Sequence, residues 1–161
     1  MSTPSNAKPD ITTLLKALNS DPRDLTLSHA LSRPQWVTLG EYLQQTTLAS
    51  GRILIAQGAE DRTLYFVESG MLTVHFEDVT GKIRLAAVGA GSVVGEGGFF
   101  SRMARSATVQ AGSECRLWTL SPMRFSELAN RQPTVALALA MALGSIMARR
   151  LVSNRRRISV T

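Results

Sequence analysis

A single cysteine, Cys115, rules out an internal disulfide, so no covalent crosslink holds this chain together. That usage fits a reducing, cytoplasmic compartment. Two histidines, His29 and His75, are too few and too scattered for a metal cluster. No pairing of a nucleophile with a base stands out either, so neither a catalytic role nor a metal or cofactor is expected. The polar start, Met1 to Lys8, has no apolar core behind a basic end and does not read as a secretory signal. The longest apolar stretch, Val135 to Ala148, is interrupted by Gly144 and Ser145 and falls short of the roughly 18–20 residues that span a bilayer.

Acidic residues are missing from Ile146 onward, where Arg149, Arg150, Arg155, Arg156 and Arg157 supply five of the eighteen basic side chains. The other thirteen nearly cancel the twelve acids, so the net charge of +6 belongs mostly to the tail. A near-neutral body with a basic end argues against a fold that itself binds nucleic acid. The tail is the one segment suited to a polyanion, whether nucleic acid or an anionic membrane surface; a solvated end is the simpler reading.

What remains is enough for one domain with a core: 161 residues, 44% of them hydrophobic. Disorder is expected up to about Asp10, which caps a short helix carrying Ile11, Leu14, Leu15 and Leu18 on one face. A second helix is expected from Pro34 to about Gln45, turning Trp36, Leu39 and Leu43 inward. From Gly51 onward, short β-branched and aromatic runs alternate with glycine turns: 52–55, 63–67, 71–76, 83–88, 106–111 and 115–120. Cys115 and Leu117 share one face of the last strand, opposite Arg116 and Trp118, and are read as core. Strands at this spacing predict an antiparallel roll or jelly roll, with helices flanking it. Ser121-Pro122 opens a further helix to about Asn130, and Pro133 starts another reaching Arg150. This last helix is apolar almost all round, so it should be covered on more than one side, by the roll and by a second subunit.

Between two strands lies Gly95-Glu96-Gly97-Gly98-Phe99-Phe100-Ser101-Arg102-Met103-Ala104-Arg105-Ser106-Ala107-Thr108. Glycines let backbone N–H groups approach an anion, and a short helix starting there would add its positive end. Arg105 can donate two parallel bonds to a phosphodiester, whereas Glu96 can only accept, and its natural partner is a hydroxyl. A structural ion pair in a glycine-rich turn is the alternative for these two residues, and Arg102 reads as a solvated neighbour.

In order and spacing this segment resembles the phosphate-binding cassette of the cyclic-nucleotide-binding domains found in bacterial catabolite activators, cyclic-nucleotide-dependent kinases and gated channels. The likeness extends upstream to Gly51–Gly58 and Leu64–Gly70 and covers about Leu48 to Leu151. It implies a mainly β roll with N-terminal helices and a C-terminal helical lid. It implies a ligand site at Gly95, Glu96, Gly97, Gly98, Arg105 and Ser106. Glu96 would accept from the ribose 2′-hydroxyl, and Arg105 would neutralise the cyclic phosphate with help from Ser106 and the backbone around Gly95 to Gly98. Four positions depart from the pattern: Gly97 replaces an apolar residue, Phe99 and Phe100 replace aliphatics, and Ala104 stands where a proline is common.

The expectation is therefore an N-terminal extension (1–33), a cyclic-nucleotide-binding domain (34–151) and a basic tail (152–161). It would act as a receptor for a 3′,5′-cyclic nucleotide, cyclic AMP favoured over cyclic GMP, relaying binding through the C-terminal helix to an effector protein, with a homodimer through that helix. With only about ten residues after Leu151, the chain as given leaves no room for the helix-turn-helix domain of the activators, and sequence-specific DNA binding is not expected. The alternative is a roll that no longer binds nucleotide and serves as an interaction module.

Overall fold

The computed structural model describes residues 8–22 and 24–158. Two four-stranded antiparallel sheets face each other, one ordered β1-β8-β3-β6 and the other β2-β7-β4-β5. Their strands are β1 (Gln44–Leu48), β2 (Ile53–Ile55), β3 (Leu64–Ser69), β4 (Leu72–Glu77), β5 (Ile83–Val88), β6 (Val93–Val94), β7 (Thr108–Ala111) and β8 (Cys115–Leu120). Helices α1 (Thr12–Leu18), α2 (Thr26–Ala30) and α3 (Arg33–Gly40) precede the roll, α4 (Glu96–Phe100) interrupts it, and α5 (Pro122–Arg131) and α6 (Pro133–Ile158) follow. The fold is the antiparallel β-roll with flanking helices, an α+β arrangement, that the sequence predicts, with more residues in helix than in strand.

Strands β3, β6 and β8 of the first sheet bury side chains on both faces, whereas the edge strand β1 is largely exposed. Val67, Val94, Cys115 and Leu117 point into the roll with Ile55, Leu72, Val109 and Ala111. Leu64, Phe66, Val93, Trp118 and Leu120 point the other way, beneath the N-terminal helices, α5 and α6. Cys115 and Leu117 are core as expected, but Trp118, read as lying on the opposite face, is buried too, because helices cover that face. The same covering buries the Glu68 carboxylate, which accepts from Trp118 Nε1 at 3.0 Å.

Helix starts follow local chemistry. Asp10 accepts from the Thr12 N–H at 2.9 Å, and Ser121 accepts from the Arg124 N–H ahead of Pro122. Ser32 and Gln35 form a reciprocal capping box at α3, with Ser32 two residues before Pro34. Trp36, Leu39 and Leu43 are buried as predicted. Helix α3 nevertheless stops at Gly40; of the residues expected to extend it, 41–43 turn and Gln44 and Gln45 begin β1, an edge strand defined by its pairing with β8. Helix α2 and the two-residue β6 are additions to the predicted elements. The disorder expected before Asp10 falls largely on residues 1–7, outside the described residues.

Helix α6 runs to Ile158, beyond its expected end at Arg150. Its Pro133–Ser153 portion is long and apolar enough to cross a membrane by length and composition, longer than the stretch the sequence singles out. One side of it is core, burying Val135, Ala136, Leu139, Ala142, Leu143 and Ile146. The opposite side leaves Leu137, Met141 and Leu151 exposed. The side chains of Arg155, Arg156 and Arg157 lie outside the described residues.

Candidate functional site

The segment 95–108 leaves β6, turns once as α4, and enters β7. Gly95 makes the turn possible: its φ is +87°, and a Cβ there would sit 2.7 Å from Arg105 Nη1 and 2.8 Å from the Thr63 carbonyl oxygen. Gly98 is also needed, since a Cβ would meet Arg105 Nη1 at 2.9 Å. Gly97 has open space around it. The Phe99 N–H donates to the Gly95 carbonyl at 3.0 Å and the Ser101 N–H to that of Gly97 at 2.9 Å, closing the turn.

Glu96 and Arg105 do not pair with each other, so the expected alternative of an ion pair within the turn is not what forms. Arg105 is 5% exposed, and its guanidinium is held from several sides. Nη2 donates to Asp61 Oδ2 and to the Thr63 carbonyl, both at 2.7 Å; Nε reaches Asp61 Oδ1 at 3.4 Å, and Nη1 donates to the Gly95 carbonyl at 2.9 Å. Its backbone is clamped as well: the Gly58 N–H donates to the Arg105 carbonyl at 2.8 Å, and the Arg105 N–H to that of Ala59 at 2.7 Å. The β2–β3 loop thus grips the cassette along its length. Burial, reinforced by the Asp61 carboxylate, pushes the neighbouring Tyr65 phenol above its ordinary range.

Glu96 turns the other way, toward α6, where Arg150 Nη1 donates to its Oε1 in a short ion pair. Arg150 Nη2 also donates to the Val93 carbonyl at 2.7 Å, just before the cassette. The adjacent Arg149 reaches Asp24 at 3.2 Å and the Thr26 hydroxyl at 2.6 Å. The last turns of α6 are therefore tied both to the cassette and to the start of α2. Aromatic contacts join the cassette to α5: Phe100 packs edge-on against Phe99, and Phe99 against Phe125 of α5, with centroids 5.5 and 5.2 Å apart. Ser106 and Arg102 are exposed. Among the described residues no group of three or more His, Cys, Asp or Glu could hold a metal.

Sequence reasoning located Glu96 and Arg105 but missed Asp61, Arg62 and Arg150. Asp61 is 44 positions before its partner, and nothing local marks it. In sequence, Arg150 reads only as one of the five arginines of the basic C-terminal stretch.

The model of the family described as "Cyclic nucleotide-binding domain" matches residues 45–132, more than half the chain. The chain belongs to the cyclic nucleotide-binding domain family. This family is one of regulatory binding domains, and the matched region contains the whole cassette. The chain is similar to the cAMP-activated global transcriptional regulator CRP of Salmonella typhimurium, 36% identical over 100 residues, covering 61% of this chain and 46% of the regulator. It is also similar to Glutaminase 2 of Bradyrhizobium diazoefficiens, 32% identical over 111 residues, covering 69% of this chain and 17% of that protein. The chain thus spans under a fifth to about half the length of these relatives. A cyclic nucleotide-binding domain from Methylobacillus flagellatus superimposes with a TM-score of 0.79 at 22% identity, covering 91% of this chain and 80% of that one. That likeness establishes the fold.

Proposed function

We propose that this cyclic nucleotide-binding domain is a receptor for a 3′,5′-cyclic nucleotide, with cyclic AMP favoured over cyclic GMP, and that it performs no catalysis. The observation that carries the proposal is that Glu96 and Arg105 of the cassette are each anchored to a different outside element, Arg105 to the β2–β3 loop and Glu96 to α6. In this reading the cyclic phosphate lies against Arg105, the Ser106 hydroxyl and the first N–H groups of α4, which have no partner within the helix. The ribose 2′-hydroxyl donates to Glu96 Oε2 while Arg150 keeps Oε1. Ligand and α6 then share one carboxylate, so occupancy and the position of α6 are linked, and the coupling is reciprocal.

The output of that coupling is an effector protein, reached through α6, in a cytoplasmic setting. The exposed residues Leu137, Met141, Gly144, Ala148 and Leu151 recur at alternating spacings of four and three along α6, the seam of a two-stranded coiled coil. Gly144 has open space above it, which suits a close-packed second helix. This supports a homodimer through α6. The basic end of the helix is suited to a weak polyanion contact, not to sequence-specific recognition of DNA.

Calorimetry and thermal shift with cyclic AMP, cyclic GMP and a cyclic dinucleotide test the receptor reading. One ligand should stabilise the fold by about 2.7 kcal/mol at a hundredfold excess over its Kd. Arg105→Ala should abolish that response. Silence from every cyclic nucleotide at millimolar concentration would overturn the receptor and leave the protein-interaction module.

A further inference from the structure

The cassette helix ought not to hold together on its own. It is a single turn of five residues, and two of them, Gly97 and Gly98, are among the poorest helix formers. Gly98 is required by the Arg105 side chain lying against it, but Gly97 is required by nothing: its φ is not positive, and no atom from outside the turn's own backbone and adjoining residues lies within 4 Å of where a Cβ would be. The turn is nonetheless closed by the Phe99 N–H on the Gly95 carbonyl and the Ser101 N–H on the Gly97 carbonyl.

Its far end is held from outside. Arg62, in the β2–β3 loop, donates from Nε to the Gly98 carbonyl at 3.3 Å and from Nη2 to the Phe99 carbonyl at 3.0 Å. These are the carbonyls a helix leaves without partners at its C-terminal end, where a cation is also favoured by the helix dipole. The near end is held by Arg105, whose Nη1 binds the Gly95 carbonyl. The neighbour of Arg62, Asp61, fixes that arginine. Two consecutive loop residues thus secure both ends of the turn.

We propose that Arg62 is a positioning residue for the ligand site: its guanidinium keeps the Glu96–Phe100 turn formed in place of the helix propensity that Gly97 forfeits, and this exchange sets the affinity for the cyclic nucleotide. The proposal rests on the receptor reading for its effect on affinity, and on backbone protection alone for its mechanical part. Arg62 reaches no ligand in this scheme; it acts through the carbonyls of Gly98 and Phe99.

Amide hydrogen exchange on the ligand-free protein and calorimetry with cyclic AMP test it together. Arg62→Gln should cut protection of the Phe99 and Ser101 amides about tenfold and weaken cyclic AMP binding by a similar factor, since two charge-assisted bonds are lost. Amides in β8 should be unaffected. Adding Gly97→Ala to Arg62→Gln should recover roughly fivefold in both readouts, because alanine restores helix propensity where there is room for it. A purely structural arginine would not be rescued in this way. Arg62→Lys, which keeps the charge but cannot fork over two carbonyls, should fall between. Should Arg62→Gln not fold, Gly97→Ala alone must raise Phe99 and Ser101 protection in the parent protein, and failure to do so overturns the proposal. Unchanged protection in Arg62→Gln, or lost protection with unchanged affinity, also overturns it. Absence of cyclic AMP binding by the unmutated protein overturns the receptor reading instead, and the exchange results then decide the mechanical claim alone.

Discussion

Removing the Asp61 carboxylate isolates the anchoring of Arg105 from its proposed ligand. In Asp61→Ala, a guanidinium whose side chain is 3% exposed loses its counter-ion and two of its four acceptor contacts, keeping the carbonyls of Thr63 and Gly95. Breaking a fully buried pair costs about 3–5 kcal/mol. The Asp61 side chain is 46% exposed, so water can replace part of what is lost, and the figure falls to about 2 kcal/mol. For a chain of this length that is a drop in Tm of about 4–8 °C, read by calorimetry or circular dichroism. Saturating cyclic AMP should narrow the gap to the parent protein, because the phosphate supplies a negative charge to the orphaned guanidinium. Arg105→Ala combined with Asp61→Ala should cost less than the sum of the two by about 1 kcal/mol or more, since no buried charge is left unpaired. The reasoning fails if Asp61→Ala melts within about 0.5 kcal/mol of the parent or if the two substitutions are additive. A gap identical with and without saturating ligand would show that the phosphate does not rest on Arg105.

Arg150→Ala should weaken cyclic nucleotide binding about tenfold by releasing Glu96 and the Val93 carbonyl, with amide exchange along the last turns of α6 rising in parallel. Leu137→Lys with Met141→Lys changes exposed residues only, so monomer stability should stay within about 0.5 kcal/mol while sedimentation shows dissociation of the proposed dimer. Gly91→Ala should destabilise by more than about 2 kcal/mol in thermal melts, because φ is +85° there and a Cβ would run into the Ala17 carbonyl at the end of α1. Burial pushes the Cys115 thiol up, so the folded protein should resist a disulfide reagent until it unfolds. The sign for stability follows: the unfolded thiol ionises first, so the contribution of Cys115 is intact below the ordinary thiol range and is lost as pH rises through it toward the folded value.

The parts of the site that can be read along the chain are those whose chemistry is local. Gly95 must be glycine for its own backbone, and the caps at Ser32 and Ser121 bond within three residues. What escapes such a reading is set by contacts distant in sequence. The residues Gln44–Leu48 continue a helical-looking run, and only pairing with β8 makes them a strand. Trp118 alternates outward by strand period, and only the helices packed on that face bury it. A signal for β1 was present in the consecutive β-branched Thr46 and Thr47, though too short to outweigh Trp36, Leu39 and Leu43.

By itself, then, the sequence determined a roll of antiparallel strands, its two terminal helical regions, and a glycine-rich turn carrying Glu96 and Arg105, because strand period, turn glycines and capping residues act over a few positions. The tertiary structure decided what those two charges do. Arg105 is buried against a loop 44 residues earlier, and Glu96 is tied to a helix 54 residues later. A buried guanidinium and a largely buried carboxylate must each find an opposite charge, and which one lies within reach depends on how the sheets and helices pack.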